Sequence, residues 1–436
     1  MTAAPGLRSQ PPAQALLAAA AFALPAASLG LPSGYSWGAL LLVLGGAWAL
    51  ATTSWRDRTA ADPSWLAFGL AVLAMAVVWI VRVDVDWSVG PQPSDFDRSA
   101  KYLLALLAIF SVRRTAPPAN WLQYGCWTGA CLAGLTAAWQ VYALGMERAS
   151  GYTNAIQFGN IALLLAAWSA LWWRHADTEW KRWWAAAAVA AGCYASLASG
   201  TRGGWVVVPA LVLLVAWAYW HDRPRPVTGQ GTRRNWRVAA VVAVVAALAL
   251  GSLAPRWTAV ENRLAQIHQE WTLYHAQGVS ENSVGHRLAH WALAWRLGLE
   301  RPWLGWREAG YALEKQRLVE LGQAPPVVLQ FGHAHQEWLD LWAKAGLLGI
   351  SALTLFYGVP LWLYGRALRD AKTLAPGPDR SRRLTIAVCG LVLVVGFIGF
   401  GMTQVMFAHN SGNMMYLFMN LLWMGALHSP ATATRA

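Results

Sequence analysis

The stretch FGHAHQEWLD, residues 331–340, gathers groups able to move a proton or hold a metal: two imidazoles two residues apart, an amide and two carboxylates. His335 stands directly before a long apolar run, where a neutral imidazole can accept a proton from a hydroxyl. Helix capping or an interfacial hydrogen bond would equally account for it. A metal site needs three or four ligands at set distances, and H-x-H offers a pair on an extended segment but not on one face of a helix. His268, His275, His286, His290 and His409 would complete a set only through folding, and no zinc-type spacing occurs. Asp340 and Lys344, four apart beyond Glu337, are placed to pair along one helix face.

Two arginines raise a second kind of chemistry. Arg202 lies in SGTRGGWVV, residues 199–207, a short polar turn between apolar runs. Gly200, Gly203 and Gly204 would let backbone N–H groups approach a ligand, and a cation beside a helix N-terminus suits phosphate. The competing reading is an arginine that snorkels to anchor a helix end. Arg287, in GHRLAHWALAWRLGLE, poses the same choice against a solvated helix face. Together the two could grip a diphosphate through paired, charge-assisted hydrogen bonds and neutralise the charge that accumulates as it leaves.

The elements that must position these groups are set by composition. Of 436 residues, 56% are hydrophobic and only 13% charged, with 29 Trp, a balance that excludes an ordinary soluble domain. Apolar runs near 14–31, 36–52, 64–81, 99–112, 120–143, 155–173, 183–199, 203–220, 237–254, 336–365, 384–406 and 413–430 are expected to be twelve transmembrane helices, with Pro25, Pro209 and Pro360 at kinks or terminal turns. The first run superficially resembles a signal peptide, but its length and the run that follows favour a retained span. Cys126, Cys131, Cys193 and Cys389 lie in or beside apolar runs and read as small hydrophobes rather than a disulfide framework.

The net charge of +13 marks topology rather than nucleic-acid binding. With a cytoplasmic N-terminus, every cytoplasmic loop is basic: Arg56 and Arg58, Arg113 and Arg114, Arg174 to Arg182, Arg223 to Arg237, and Arg366 to Arg383. The first long loop on the other side carries Asp84, Asp86, Asp95 and Asp97 instead. Both termini are then cytoplasmic, and Arg202, Arg287, His335 and the large loop 255–335 share the opposite side. Within that loop AVENRLAQIHQEWTLYHAQ and SVGHRLAHWALAWRLGLE read as amphipathic helices, the second with a Leu288, Trp291, Trp295, Leu299 stripe and a stop at Arg-Pro after Glu300.

Three stretches carry a resemblance. ASGTRGGW at 198–205 resembles a Ser-x-Arg-Gly segment, GHRLAHWALAWRLGLERPWLGW at 285–306 an Arg followed by a Trp and a Pro-x-x-Gly step, and AHQEWLDLWAKAGLLG at 334–349 a His-Asn-x-x-Leu segment running into Gly-Leu-Leu-Gly. These are similar to the O-antigen ligase and polymerase superfamily of polytopic glycosyltransferases. Two departures stand out: Gln336 replaces the usual Asn, so no catalytic role is placed on it, and Gly200 occupies one polar position before Arg202.

The resemblance implies an all-α, GT-C-type bundle forming a single integral membrane catalytic domain over 1–436, in the inner membrane with a periplasmic active site. It implies an undecaprenyl-diphosphate-linked O-antigen donor, a lipid A-core sugar hydroxyl as acceptor, membrane lipids as surroundings, and no nucleic acid, cofactor or metal. In that setting His335 would take the acceptor's proton and Arg202 and Arg287 would hold the diphosphate, with His333 and Gln336 shaping the pocket. A single displacement would invert the anomeric centre, and no carboxylate pair stands out for a double displacement. An O-antigen polymerase and a protein O-oligosaccharyltransferase are rivals within the class, and a lipid-linked glycan transporter is the non-enzymatic alternative.

Overall fold

The computed structural model describes residues 11–52, 62–83, 92–222, 269–272, 276 and 281–428, and every regular element among them is a helix. In chain order these are α1 Pro11–Ala27, α2 Gly34–Thr52, α3 Pro63–Val81, α4 Asp97–Arg114, α5 Ala119–Ala138, α6 Ala155–Trp172, α7 Glu179–Ala198, α8 Val208–His221, α9 Ser283–Glu300, α10 Glu308–Glu320, α11 Glu337–Thr373, α12 Pro378–Gly401 and α13 Asn410–Leu427. Eleven of the twelve expected runs are thus helical, while the run at 237–254 lies outside the described residues. Among the described residues, six helical segments are long and apolar enough to cross a membrane: Gly34–Thr52, Pro63–Val81, Ala155–His175, Gly203–His221, Glu337–Thr373 and Pro378–Gly401. They mark a polytopic membrane protein.

Their outer faces remain apolar, with Leu40, Leu44, Leu66, Leu70, Leu213 and Leu355 all at least half exposed. Water would penalise such a surface, whereas hydrocarbon does not. The interior is organised around α12 and α13, where the large side chains of Trp168, Trp172 and Trp423 are fully buried. Trp168 Nε1 donates to Cys389 O at 2.9 Å, so the indole's one polar atom is satisfied on entering the core.

Hydrogen bonds and ion pairs show which helix ends meet. Ala149 N–H donates to Ala198 O, Thr201 Oγ1 to Ala155 O, and Asn154 meets His409, which gathers the loop after α5, the end of α7 and the starts of α6 and α13. Arg82 at the end of α3 and Arg98 at the start of α4 both face Glu308 of α10. At the other end, His428 meets Asp62, Arg174 pairs with Asp222, and His175 bonds Thr385. The basic pair Arg113 and Arg114 and the run Arg380 to Arg383 belong to that second end.

α9 and α10 lie across the first end, α9 packed on α11. The α9 stop is as expected, at Glu300 before Arg301-Pro302. Its buried face, however, is Ala289, His290, Leu293, Ala294 and Leu297, leaving Trp295 and Leu299 of the expected stripe exposed. That stripe therefore faces outward, while small side chains permit the close approach to α11. α10 has no counterpart among the expected helices: its six charged and amide residues hide the apolar period that Tyr311 and Leu318 bury. The companion amphipathic segment at 259–277 lies almost wholly outside the described residues.

α11 is broken one turn into its apolar stretch. Gly346 has φ 58° and ψ −146°, a conformation open to glycine and costly for other residues. The interruption frees backbone groups that bond the 302–307 segment: Leu347 N–H donates to Pro302 O at 2.7 Å, Leu348 N–H to Trp303 O, and Trp306 N–H to Ala343 O at 2.9 Å. The Pro-x-x-Gly step and the Gly-Leu-Leu-Gly segment are therefore two halves of one docking joint.

Candidate active site

His335 precedes α11, and its backbone sits at φ 54°, in the left-handed region. For a non-glycine residue this costs of order 1 kcal/mol or more and persists only where the surroundings enforce it. They do so with buried charge. Lys315 Nζ donates to Val328 O at 2.8 Å and Phe331 O at 2.6 Å, and Lys344 Nζ donates to Gly332 O at 2.7 Å. Ala334 N–H donates to Asp340 Oδ1, which also pairs with Lys344 at 3.0 Å, the expected i, i+4 pair. The residues leading to His335 are held from two helices, α10 and α11. Burial pushes the Lys315 ammonium down to about 8.

The helix-capping alternative for His335 falls to its neighbour. Gln336 Oε1 accepts from Leu339 N–H at 2.6 Å as the cap of α11, so the amide that departs from the resembling motif is spent on the backbone. His335 instead points its Nδ1 at Gln404 Oε1, 3.3 Å away. A carbonyl oxygen only accepts, so Nδ1 carries the proton and Nε2 keeps its lone pair. Nε2 is shielded and bonds nothing among the described residues.

Gln404 is buried in a polar turn that follows α12, inside the run expected to stay helical to 406. The helix stops at Gly401 because Glu337 captures the next backbone: its Oε2 accepts from Met406 N–H at 2.5 Å and Phe407 N–H at 3.1 Å. A fully buried carboxylate at the start of α11 thus fixes the turn carrying Gln404, and Gln404 fixes His335.

Around His335 stand four more imidazoles. Ring centroids of His333, His290 and His286 lie 4.3, 5.6 and 5.7 Å from it, and His409 is 6.4 Å from His333. His268 and His275 lie outside the described residues. No group of three His, Cys, Asp or Glu among the described residues is disposed to hold a metal ion. Burial above all, then His333, His286 and the charge of Arg287, hold the His335 imidazole down at about 3 despite its bond to Gln404. The imidazole is therefore neutral at physiological pH, and Arg287, exposed on α9, is close enough to act on it electrostatically.

Arg202 reaches the same end of the bundle by another route. Ser199 Oγ bonds Ser196 O and Thr201 Oγ1, and Thr201 Oγ1 bonds Ala155 O, so the hydroxyls before Arg202 hold the turn. The glycines do not open a path for a ligand as the sequence suggested. Gly200 supplies φ +64°, and a Cβ on Gly204 would lie 2.0 Å from Asn160 Oδ1, so the turn needs small residues to pack on protein. Gly203 rests likewise on Thr403, the residue before Gln404, which links the Arg202 turn to His335. The Arg202 side chain is exposed. Beside it Arg148 donates from Nε to Ser199 O at 2.8 Å, an arginine that sequence reading did not single out because ERASGY has no apolar context to mark it.

The geometry thus brings a shielded imidazole nitrogen with no partner among the described residues, Arg287 and the Arg202 turn to one end of a membrane bundle. Comparison with known proteins gives a match to the family model described as O-antigen ligase over residues 187–354. Residues 187–354 are similar to the O-antigen ligase family. This family domain runs from α7 into α11 and contains Arg202, Arg287 and His335, while Gln404 and Arg148 lie outside it. The chain is also similar to an uncharacterized protein of Haemophilus influenzae, 26% identical over 321 residues that cover 72% of this chain and 74% of that protein.

Proposed function

We propose that the chain is an O-antigen ligase: an inverting, metal-independent glycosyltransferase that moves an O-antigen glycan from undecaprenyl diphosphate to a sugar hydroxyl of lipid A-core. The observation that carries this reading is His335, whose Nε2 is unpaired, shielded and neutral within the O-antigen ligase domain. The domain-level assignment covers 1–436 as one integral membrane catalytic unit, with 255–335 as its large periplasmic loop. The basic second end of the bundle supports a cytoplasmic face there, by the bias of Lys and Arg toward cytoplasmic loops. α8 ends at that face and α9 lies at the other, which supports one further crossing between them, where the sequence expects a span at 237–254. Twelve spans then leave both termini in the cytoplasm and the site in the periplasm of a bacterial inner membrane.

The chemistry follows from the groups in place. A glycosyl diphosphate already has a leaving group, so the site must orient a hydroxyl, accept its proton and neutralise the departing charge. The acceptor oxygen bonds to the anomeric carbon as the bond from that carbon to the phosphate oxygen breaks. The hydroxyl proton passes to His335 Nε2, and the diphosphate leaves with its negative charge facing Arg202 and Arg287. The anionic donor also counters the downward push of Arg287 on the imidazole, making His335 a stronger base when the donor is bound. Gln404 holds the tautomer, Glu337 holds Gln404, and His333 lines the approach.

The test is transfer in detergent. Purified protein with lipid-diphosphate glycan should form a covalent product with lipid A-core, and His335→Ala should lose ~10²–10⁴-fold in rate, the worth of a general base, while still binding donor. Arg202→Lys and Arg287→Lys should also be impaired, since an ammonium cannot reproduce a guanidinium fork. Product with a lipid-linked glycan or a protein acceptor alone would move the assignment to polymerase or protein oligosaccharyltransferase. Full turnover by His335→Ala, or rescue of a chelated enzyme by metal, would sink the mechanism.

A further inference from the structure

Beside His333, whose ring neighbours that of His335, lies a cavity of about 250 Å³ lined by Arg82, Arg98, Glu308, His333, Asp340 and Lys344. It is smaller than the roughly 300–1,000 Å³ of drug-sized ligand pockets, so it suits one compact group rather than an oligosaccharide. Three cations face two carboxylates there. Lys344 is consumed by Glu308, Asp340 and Gly332 O, and Arg82 Nη2 donates to Glu308 at 2.6 Å. Yet Arg82 Nε and Nη1 bond nothing among the described residues, although only 4% of that side chain is exposed. Buried guanidinium donors without acceptors are expensive, and burying them is expected only where something else supplies the acceptor.

Arg98 completes the arrangement. Its guanidinium and that of Arg82 both lie over the Trp79 ring, at 5.1 and 4.4 Å from its centroid, so one indole holds two like charges side by side. Arg98 is only 4.0 Å from Glu308 and keeps 38% of its side chain exposed, which leaves it facing the opening. His409 closes the cavity from the loop before α13. The surplus is one positive charge with oriented donors.

We infer that this cavity is an acceptor-side subsite for an anionic substituent, phosphate or carboxylate, carried by the acceptor glycan. The inference rests on the ligase reading. Single displacement puts the attacking hydroxyl opposite the leaving diphosphate, and the cavity adjoins His335 through His333 whereas the Arg202 turn adjoins it through Thr403 and Gln404. An anion seated beside His333 would bring its own sugar's hydroxyl to His335 Nε2. The sequence concealed this because Arg82 and Arg98 look like span-end arginines and Glu308 is more than 200 residues away.

The experiment measures binding without turnover. Full-length His335→Ala protein in detergent is titrated with lipid A-core that is intact, phosphatase-treated or carboxyl-reduced, with and without Arg98→Gln. Arg98→Gln should weaken binding of intact acceptor ~10-fold, the size of one charge-assisted contact, and leave donor affinity unchanged. One of the two chemical treatments should weaken binding equally in the parent and make Arg98→Gln no worse, which identifies the anion as phosphate or carboxylate. Arg98→Lys, which keeps the charge and the exposed position, should recover part of the loss. Equal binding of intact acceptor by parent and Arg98→Gln, an undiminished penalty on acceptor stripped of both anions, or a loss of donor affinity instead would overturn the subsite. Turnover by His335→Ala itself would count against the ligase mechanism and leave the binding result standing.

Discussion

The link between Gln404 and His335 allows a quantitative test of how the base is prepared. Gln404→Leu keeps the side chain's bulk in a position only 3% exposed and removes the acceptor facing Nδ1. At 3.3 Å the bond is long, so its net worth falls in the range of ~0.5–1.5 kcal/mol for a neutral pair. If that bond orients the imidazole, the loss appears in kcat as ~2- to 12-fold, since about 1.4 kcal/mol is a factor of ten. Removing the imidazole itself in His335→Ala should cost ~10²–10⁴-fold. Gln404→Glu restores an acceptor and adds a charge that favours imidazolium, so it should recover the rate and move the acid limb of the pH profile upward. The assay is steady-state transfer to lipid A-core with donor and acceptor varied separately, which splits kcat from KM. A Leu variant as inactive as His335→Ala would mean that Gln404 does more than orient. A Leu variant of normal kcat, or a Glu variant no better than Leu, would refute the orienting role.

Two further outcomes follow from the charges around the site. With the free-enzyme imidazole held down at about 3, kcat/KM should stay flat through the region near pH 6.5 where an ordinary histidine titrates, and Arg287→Gln, by removing a nearby positive charge, should bring the acid limb upward toward that region. A wild-type limb centred near ordinary histidine would contradict the buried, cation-flanked setting. Lys344→Met leaves the buried Asp340 carboxylate with Arg82, 3.6 Å away, as its remaining cation and should destabilise the protein by up to ~3–5 kcal/mol, read as a lower unfolding temperature in detergent, whereas Lys344→Met with Asp340→Leu should recover much of it. An unchanged melting curve for the single variant would show that this network does not hold the His335 loop.

Much of the architecture was legible in the sequence because it depends on composition over some twenty residues at a time. Apolar length located eleven helices, Arg-Pro ended α9, and the Asp340–Lys344 spacing announced an ion pair that the fold contains. The candidate site residues stood out against the same background, since His335 and Arg202 are polar groups at the edges of apolar runs and Arg287 opens an amphipathic helix. Local pattern failed where a residue's meaning comes from a distant partner. The glycines around Arg202 looked available to a ligand, but Asn160 and Thr403 occupy the space beside them. Gln404 looked like part of a span until Glu337 was seen to pull its turn out of helix, and the α9 stripe looked like the packing face until the small residues behind it met α11.

By itself the sequence determined that the chain is a bundle of membrane helices with its charge on the ends, because hydrocarbon admits long apolar helices and little else. The tertiary structure decided the rest: which nitrogen of His335 and which donors of Arg82 lack partners among the described residues, and what bends the His335 backbone to φ 54°. Two of those properties depend on contacts between residues 69 and 226 positions apart, His335 with Gln404 and Arg82 with Glu308. No periodicity along the chain encodes such distances, and only the packed helix ends bring them within a hydrogen bond.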